Sequence, residues 1–244
     1  MPGSLKTEAV VLRSIRYGEA DRILHLYTPH RGRISGIAKG VRKAKSRFGG
    51  RLEPFFRLQL VLHEGRSDLL TVTGAETVEP YARLRADAGG LAAAARACDA
   101  VTRLFGDDEP SEHVFHLLAN ELALIDRTMV GASDNVRHAN QLAFRLKLLL
   151  VSGIAPQLAA CASCGETDHL VGFSGAAGGV VCGACEAGGF GLDAESHAFL
   201  VGALGSALAD TPAAEPRSLR QAERAISETV EHHAHTRLRA AMAR

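Results

Sequence analysis

Arg57-Leu58-Gln59-Leu60-Val61-Leu62-His63-Glu64 governs the reading of the first third of the chain. Leu58, Leu60 and Leu62 alternate with Arg57, Gln59 and Val61. A period of two puts every second side chain on one buried sheet face, so this stretch is a half-buried strand. On either side of it, 7–15, 22–27, 33–41 and 67–78 also read as strands. Turn-forming sequences separate them: Tyr17-Gly18-Glu19, Pro29-His30-Arg31-Gly32 and Glu64-Gly65-Arg66-Ser67-Asp68. Five strands in about 75 residues with no helix between them predict a five-stranded barrel of the oligonucleotide-binding (OB) type. An SH3-like barrel would give a similar pattern.

The pattern changes after Pro80. Residues 91–105 are Ala-rich and favour helix. Residues 112–129 carry Val114, Leu117, Leu118, Leu122 and Ile125 at helical spacing. A third helix begins after Ser133, a good N-cap, with Val136, Ala139, Leu142, Ala143, Leu146, Leu149 and Leu150 on one face. Gly153 and Pro156 then supply stop signals. Two further helices are predicted over 194–208 and 217–242. The predicted fold is thus multi-domain, α and β. An OB-like β-barrel over 1–80 precedes an α-helical domain over 81–244, into which a four-cysteine zinc module is inserted at 158–191. No run of about 18 or more apolar residues argues for a membrane span, and the start of the chain lacks signal-peptide character, so a cytoplasmic protein is expected.

Four of the five cysteines form Cys161-Ala162-Ser163-Cys164 and Cys182-Gly183-Ala184-Cys185, separated by 17 residues. Each C-x2-C turn can aim two thiolates at one point, and two such turns supply the tetrahedral set that zinc prefers. Gly165 and Gly183 suit the tight backbone of such turns, and Gly175, Gly178 and Gly179 suit a hairpin between the pairs. Disulfides are disfavoured by the cytoplasmic reading and the odd cysteine count. One zinc per chain, bound by Cys161, Cys164, Cys182 and Cys185, has no open coordination position and is structural. His169 is a weaker substitute ligand. Cys98 reads as a small buried residue.

Charge is unevenly distributed. Of 28 basic and 27 acidic residues, 14 and 5 fall in 1–66, a net of +9, which leaves −8 in the remainder. Arg31, Arg33, Lys39, Arg42, Lys43, Lys45, Arg47 and Arg51 are concentrated around the third strand and the segment after it. Gly, Ser and charge between 39 and 51 predict a mobile cationic loop that can follow a phosphate chain. Five phosphate contacts on a single strand would give a log–log salt slope near about −3.5. Tyr17, Tyr27, Phe48, Phe55 and Phe56 are the aromatic candidates for base stacking, and there is no Trp. With so few, backbone electrostatics should dominate and binding should tolerate any sequence.

Glu8-Ala9-Val10-Val11-Leu12-Arg13, Tyr17-Gly18-Glu19-Ala20-Asp21-Arg22-Ile23-Leu24, Leu26-Tyr27-Thr28-Pro29-His30-Arg31-Gly32-Arg33-Ile34, Ala38-Lys39-Gly40-Val41-Arg42-Lys43 and Leu52-Glu53-Pro54-Phe55 resemble the opening of RecO-family DNA repair proteins. The four-cysteine module after a helical segment is similar to the zinc-bearing branch of that family. The resemblance implies an OB domain followed by a helical domain with the zinc module. It implies binding of single- and double-stranded DNA and annealing of complementary strands. It also implies work with RecR, in some members alongside RecF, to help RecA replace single-strand-binding protein. The acidic tail of single-strand-binding protein would be contacted by the helical domain, and the protein would be nucleoid-associated.

Other readings remain at this point. Asp107-Asp108-Glu109 and Glu19-Ala20-Asp21 could hold magnesium in an enzyme, and His232, His233 and His235 could bind metal. Structural roles are simpler for all of them, and no phosphate-cradling loop or nucleophile elbow occurs, so no enzyme is expected. A zinc-ribbon module of transcription or RNA metabolism, without annealing activity, is a second alternative, and a scaffold that binds protein partners only is a third.

Overall fold

The computed structural model describes residues 3–43, 45–65, 69–107 and 109–241; Arg66, Ser67, Asp68, Asp108 and Met242, invoked above, lie outside them. Five strands close into a barrel: β1 (Ser4–Tyr17), β2 (Asp21–Thr28), β3 (Gly32–Ala38), β4 (Arg57–His63) and β5 (Leu70–Glu79). Their order is β1-β2-β3-β5-β4, with β4 pairing back onto β1. All pairings are antiparallel except the short β3–β5 contact at Gly36–Leu70 and Ile37–Thr71. The alternation at 57–63 reflects this closure. Leu58, Leu60 and Leu62 meet Ala9, Val11, Leu24, Leu26 and Val72 inside the barrel. Each fully buried Leu contributes about 1.5–3 kcal/mol.

A register shift between Val11 and Arg13 interrupts β1. Beside it, Val10, Leu12 and Tyr27 are buried although none belongs to the barrel core. Helices α2 (Ala88–Leu104) and α3 (Glu112–Leu124), preceded by the short α1 (Ala82–Ala86), lie against β1 and β2 and cover this outer face. Tyr27 meets Phe105 edge-on at 6.4 Å, and burial pushes its phenol up to about 12. Asp87 caps α2 by accepting from the Gly90 amide at 2.6 Å, and Ser111 caps α3 through Val114. Barrel and covering helices form one compact unit, Met1–Arg127.

One glycine is indispensable to this arrangement. Gly32 has φ +61°, and a β-carbon there would fall 2.3 Å from the Glu109 carbonyl oxygen. The backbones of Asp107 and Glu109 pack on the β2–β3 turn because that position carries no side chain.

The second unit is Thr128–Arg244. Helix α4 (Asp134–Val151) starts at the expected cap, where Ser133 Oγ accepts from the Val136 amide. Helices α5 (Ala194–Gly205) and α6 (Pro216–His233) pack with it, burying Leu142, Leu146, Leu149, Phe199, Leu200, Leu219 and Ile226. Val136 and Leu150, expected on the buried face of α4, are instead about half exposed. The last helix also stops at His233 and does not continue to 242. His235 takes φ 50°, and the chain turns back: the Ala241 amide donates to Glu223 Oε1, and Arg145 donates to the Arg239 carbonyl. None of the helices is long and apolar enough to cross a membrane among the described residues.

Candidate metal centre and nucleic-acid interface

Between α4 and α5 lies a small three-stranded sheet, β6 (Leu170–Ser174), β7 (Gly179–Cys182) and β8 (Phe190–Gly191), in the order β7-β6-β8. The glycines between the cysteine pairs form the predicted hairpin, with Gly178 at φ +84° in its turn. Cys161 and Cys164 sit on a turn closed by the Gly165 amide donating to the Cys161 carbonyl at 2.8 Å. The Ala162 amide donates to the Val180 carbonyl, fixing that turn against β7. Cys182 ends β7, and the Cys185 amide donates to its carbonyl at 2.9 Å. Gly165 needs its freedom, at φ +80°. Gly183 does not take a positive φ, so its expected special role is absent.

These two turns bring all four sulfur atoms within 4.8 Å of one another. Cys164 and Cys182 are 3.7 Å apart. A regular tetrahedron of sulfurs about 2.3 Å from a central ion has edges of about 3.8 Å, so the spacing fits such a metal. The backbone amide of Cys182, acting against burial, lowers the Cys161 thiol to about 6. The neighbouring sulfurs of Cys164 and Cys182 push Cys185 up to about 12. Four crowded sulfurs cannot all ionise alone; a dication that takes them all as thiolates removes the conflict. None of the five cysteines is in a disulfide. The four cysteines can therefore hold a metal ion, and they are the one such group among the described residues. His169 is not part of it, and its carbonyl accepts from Gly183. His232, His233 and His235 belong to no group that could hold a metal among the described residues.

In the first unit, the basic segment between β3 and β4 differs from a free tether. Phe48 and Leu52 are each 1 % exposed and belong to the barrel core. Turn hydrogen bonds run from Lys43 to Gly40, Ser46 to Lys43, Gly49 to Ser46 and Arg51 to Phe48. The loop is also tied to the β1–β2 turn: Gly40 donates to Asp21 Oδ1 at 2.8 Å, and Arg42 donates to the Ala20 and Glu19 carbonyls. Arg22 grips Glu53 with two contacts of 2.9 Å. Two apolar anchors and this lacing thus tie down a segment whose Gly, Ser and charge predict a mobile loop.

The predicted cations divide into two groups. Lys39, Arg42, Lys43, Lys45, Arg47 and Arg51 are exposed, and no carboxylate lies within ion-pair distance of them among the described residues. Arg31 and Arg33 are already engaged. Arg31 pairs with Glu64; Arg33 bonds Asp107 Oδ1 and the Thr102 carbonyl, each at 2.6 Å. The acidic clusters have structural work too. Asp21 holds the loop, Asp107 holds Arg33, and Glu109 accepts from the Gly106 amide at 2.8 Å. Outside the charge cluster, Arg13 and Arg16 are exposed cations on β1.

The comparison with known families decides what carries these two sites. Residues 1–81 match the model for the recombination protein O N-terminal domain, and residues 85–241 match that for its C-terminal domain. The chain belongs to the RecO family. It is 37 % identical to the DNA repair protein RecO of Anaeromyxobacter dehalogenans, over 97 % of this chain and 94 % of that protein. It is 39 % identical to the DNA repair protein RecO of Rubrobacter xylanophilus, over 93 % of this chain and 90 % of the other. A Nocardioides RecO is 40 % identical over 82 % of this chain and 81 % of its own length. RecO membership makes this a DNA repair and recombination protein, as the motifs at 8–55 imply.

Proposed function

We propose that this RecO-family chain is a non-enzymatic recombination mediator that binds single- and double-stranded DNA and anneals complementary strands. Lys39, Arg42, Lys43, Lys45, Arg47 and Arg51 neutralise phosphates, and Arg31 and Arg33 border them with a smaller share because Glu64 and Asp107 already hold them. The observation that carries the reading is the set of six exposed cations, without a carboxylate partner among the described residues, on a loop that Phe48 and Leu52 fix to the barrel. Two polyanions meeting on one cationic surface repel each other less, and base pairing supplies the free energy of annealing. The barrel over 1–80 is the DNA-binding domain, and 81–244 carries the zinc module at 158–191.

The ion held by Cys161, Cys164, Cys182 and Cys185 is one structural zinc, whose task is to brace the segment between α4 and α5. In the cytoplasm, at the nucleoid, RecR and in some settings RecF work with the protein so that RecA replaces single-strand-binding protein, whose acidic tail contacts the helical domain. The decisive experiment is annealing of complementary strands coated with single-strand-binding protein. The natural chain should accelerate it, and the Lys43→Glu, Lys45→Glu, Arg47→Glu triple variant should not. Equal annealing by both would remove the loop from the mechanism.

A further inference from the structure

The outer face of β1, β2 and β3 has apolar character that phosphate binding does not explain. Arg13, Ile15 and Tyr17 alternate along one side of β1. Across the sheet, Ile15 faces Ile23, and Ile23 faces Ile37. One row away, Arg13 faces His25, and His25 faces Ser35, whose hydroxyl lies 3.1 Å from His25 Nδ1. The three isoleucines are half-buried, and none belongs to the barrel core. Tyr17 ends the face at 54 % exposure.

The other aromatics of the barrel region are committed elsewhere. Tyr27 is covered by the helices, and Phe48 and Phe55 are buried. Phe56 is half-buried with the Arg85 guanidinium 4.6 Å from its ring centre. Cations adjoin the Tyr17 end. Arg13 is exposed on the same side of β1, and Arg42 reaches the carbonyls of Glu19 and Ala20 in the turn that follows Tyr17.

We propose that this face binds the unpaired bases of a single strand, with Tyr17 as the stacking platform, and that it sets the preference for single strand over duplex. The proposal rests on the reading that the loop holds phosphates, and it names what the other edge of the same strand meets. A single strand presents phosphates along one edge and bases along the other. The loop cations match the first, and Tyr17 with the isoleucine row matches the second. A duplex keeps its bases stacked inside, so Tyr17 gains nothing from it. An aromatic face and aliphatic side chains read no hydrogen-bond pattern, so the face tolerates any base.

The test measures binding of oligo-dT and of a duplex of equal length by fluorescence anisotropy. Tyr17→Ala should weaken oligo-dT binding about tenfold, leave duplex binding within about twofold, and leave the salt slope unchanged. Tyr17→Phe should restore oligo-dT binding. A readout in the unaltered protein keeps the test independent of folding. The chain has three tyrosines and no Trp, and Tyr27 and Tyr81 are buried, so Tyr17 is the tyrosine whose emission a bound strand can quench by contact. Oligo-dT should quench it and duplex should not. Equal loss for both ligands in Tyr17→Ala, or unquenched emission at saturating oligo-dT, overturns the proposal. A selective Tyr17 effect with a silent loop triple variant would overturn the loop reading alone, and a natural chain that binds neither ligand would sink both.

Discussion

Salt dependence gives the sharpest test of the cationic loop, because the structure separates cations available to phosphate from those already paired. Six loop side chains, Lys39, Arg42, Lys43, Lys45, Arg47 and Arg51, are exposed without a carboxylate partner among the described residues. At about 0.7 per phosphate contact on a single strand, full engagement gives a log–log slope of about −4. The Lys43→Gln, Lys45→Gln, Arg47→Gln variant removes half of the set and should show a slope of about −2. Between about 50 and 200 mM salt, the natural chain should lose roughly 300-fold in affinity and the variant roughly 20-fold. Arg31→Gln is the control. Its guanidinium already pairs with Glu64, so the slope should move by less than one full contact. The assay is oligo-dT anisotropy at four or more salt concentrations. A triple variant with the natural slope, or an Arg31→Gln effect as large as the triple, would refute the division into free and paired cations.

Three further outcomes are expected. Gly32→Ala should cost at least 3 kcal/mol in urea unfolding, about 1–2 for a left-handed φ plus displacement of Glu109, whereas Gly18→Ala (φ +54°, open space) should cost only the first part; equal costs would show that the close approach is unimportant. Metal analysis should find one ion per chain, X-ray absorption should show four sulfur ligands at about 2.3 Å, and Cys182→Ser should lose the metal and lower the thermal stability of the second unit; metal retained in that variant would exclude the four-thiolate site. Burial opposes ionisation of Glu223, but the His138 contact at 3.1 Å, the Ala241 amide and Arg145 outweigh it and hold the carboxyl below its ordinary 4.5. A depressed carboxylate stabilises the fold above its unfolded value, and this is lost as pH falls through the folded one. Glu223→Gln should therefore flatten the acid limb of stability against pH below about 4.5, and an unchanged limb would rule out the clasp.

How much of this was legible in the sequence depends on the range of the interaction. Local signals read well. The period of two at 57–63 located a barrel strand, Ser133 started α4, and the C-x2-C spacing identified four sulfurs that do converge. Signals that depend on partners distant in sequence did not. Nothing near Arg33 shows that Asp107 holds it, and nothing near Arg31 points to Glu64. The last helix was expected to run to 242, but the buried Arg145 and the half-buried Glu223 capture the chain from 234 onward. Val136 and Leu150 fit the helical period of α4 and still face outward, because which flank of a stripe is covered depends on where neighbouring helices stop.

The loop between β3 and β4 shows why that limit matters for function. Charge, Gly and Ser between 39 and 51 would leave a segment too polar to order itself. Phe48 and Leu52 reverse that outcome, since sealing both inside the barrel contributes several kcal/mol toward fixing the backbone around them. The sequence presented Phe48 as a base-stacking candidate, and burial assigns it to the opposite task. Six like charges held on an anchored frame repel one another more than they would on a mobile tether, which could spread them apart. An approaching polyanion relieves that repulsion and needs to order less of the loop as it binds. On the proposed reading, the anchors thus convert folding free energy into a phosphate surface prepared in advance. Tyr17, at the turn to which the same loop is laced, would then lie beside the path proposed for the strand.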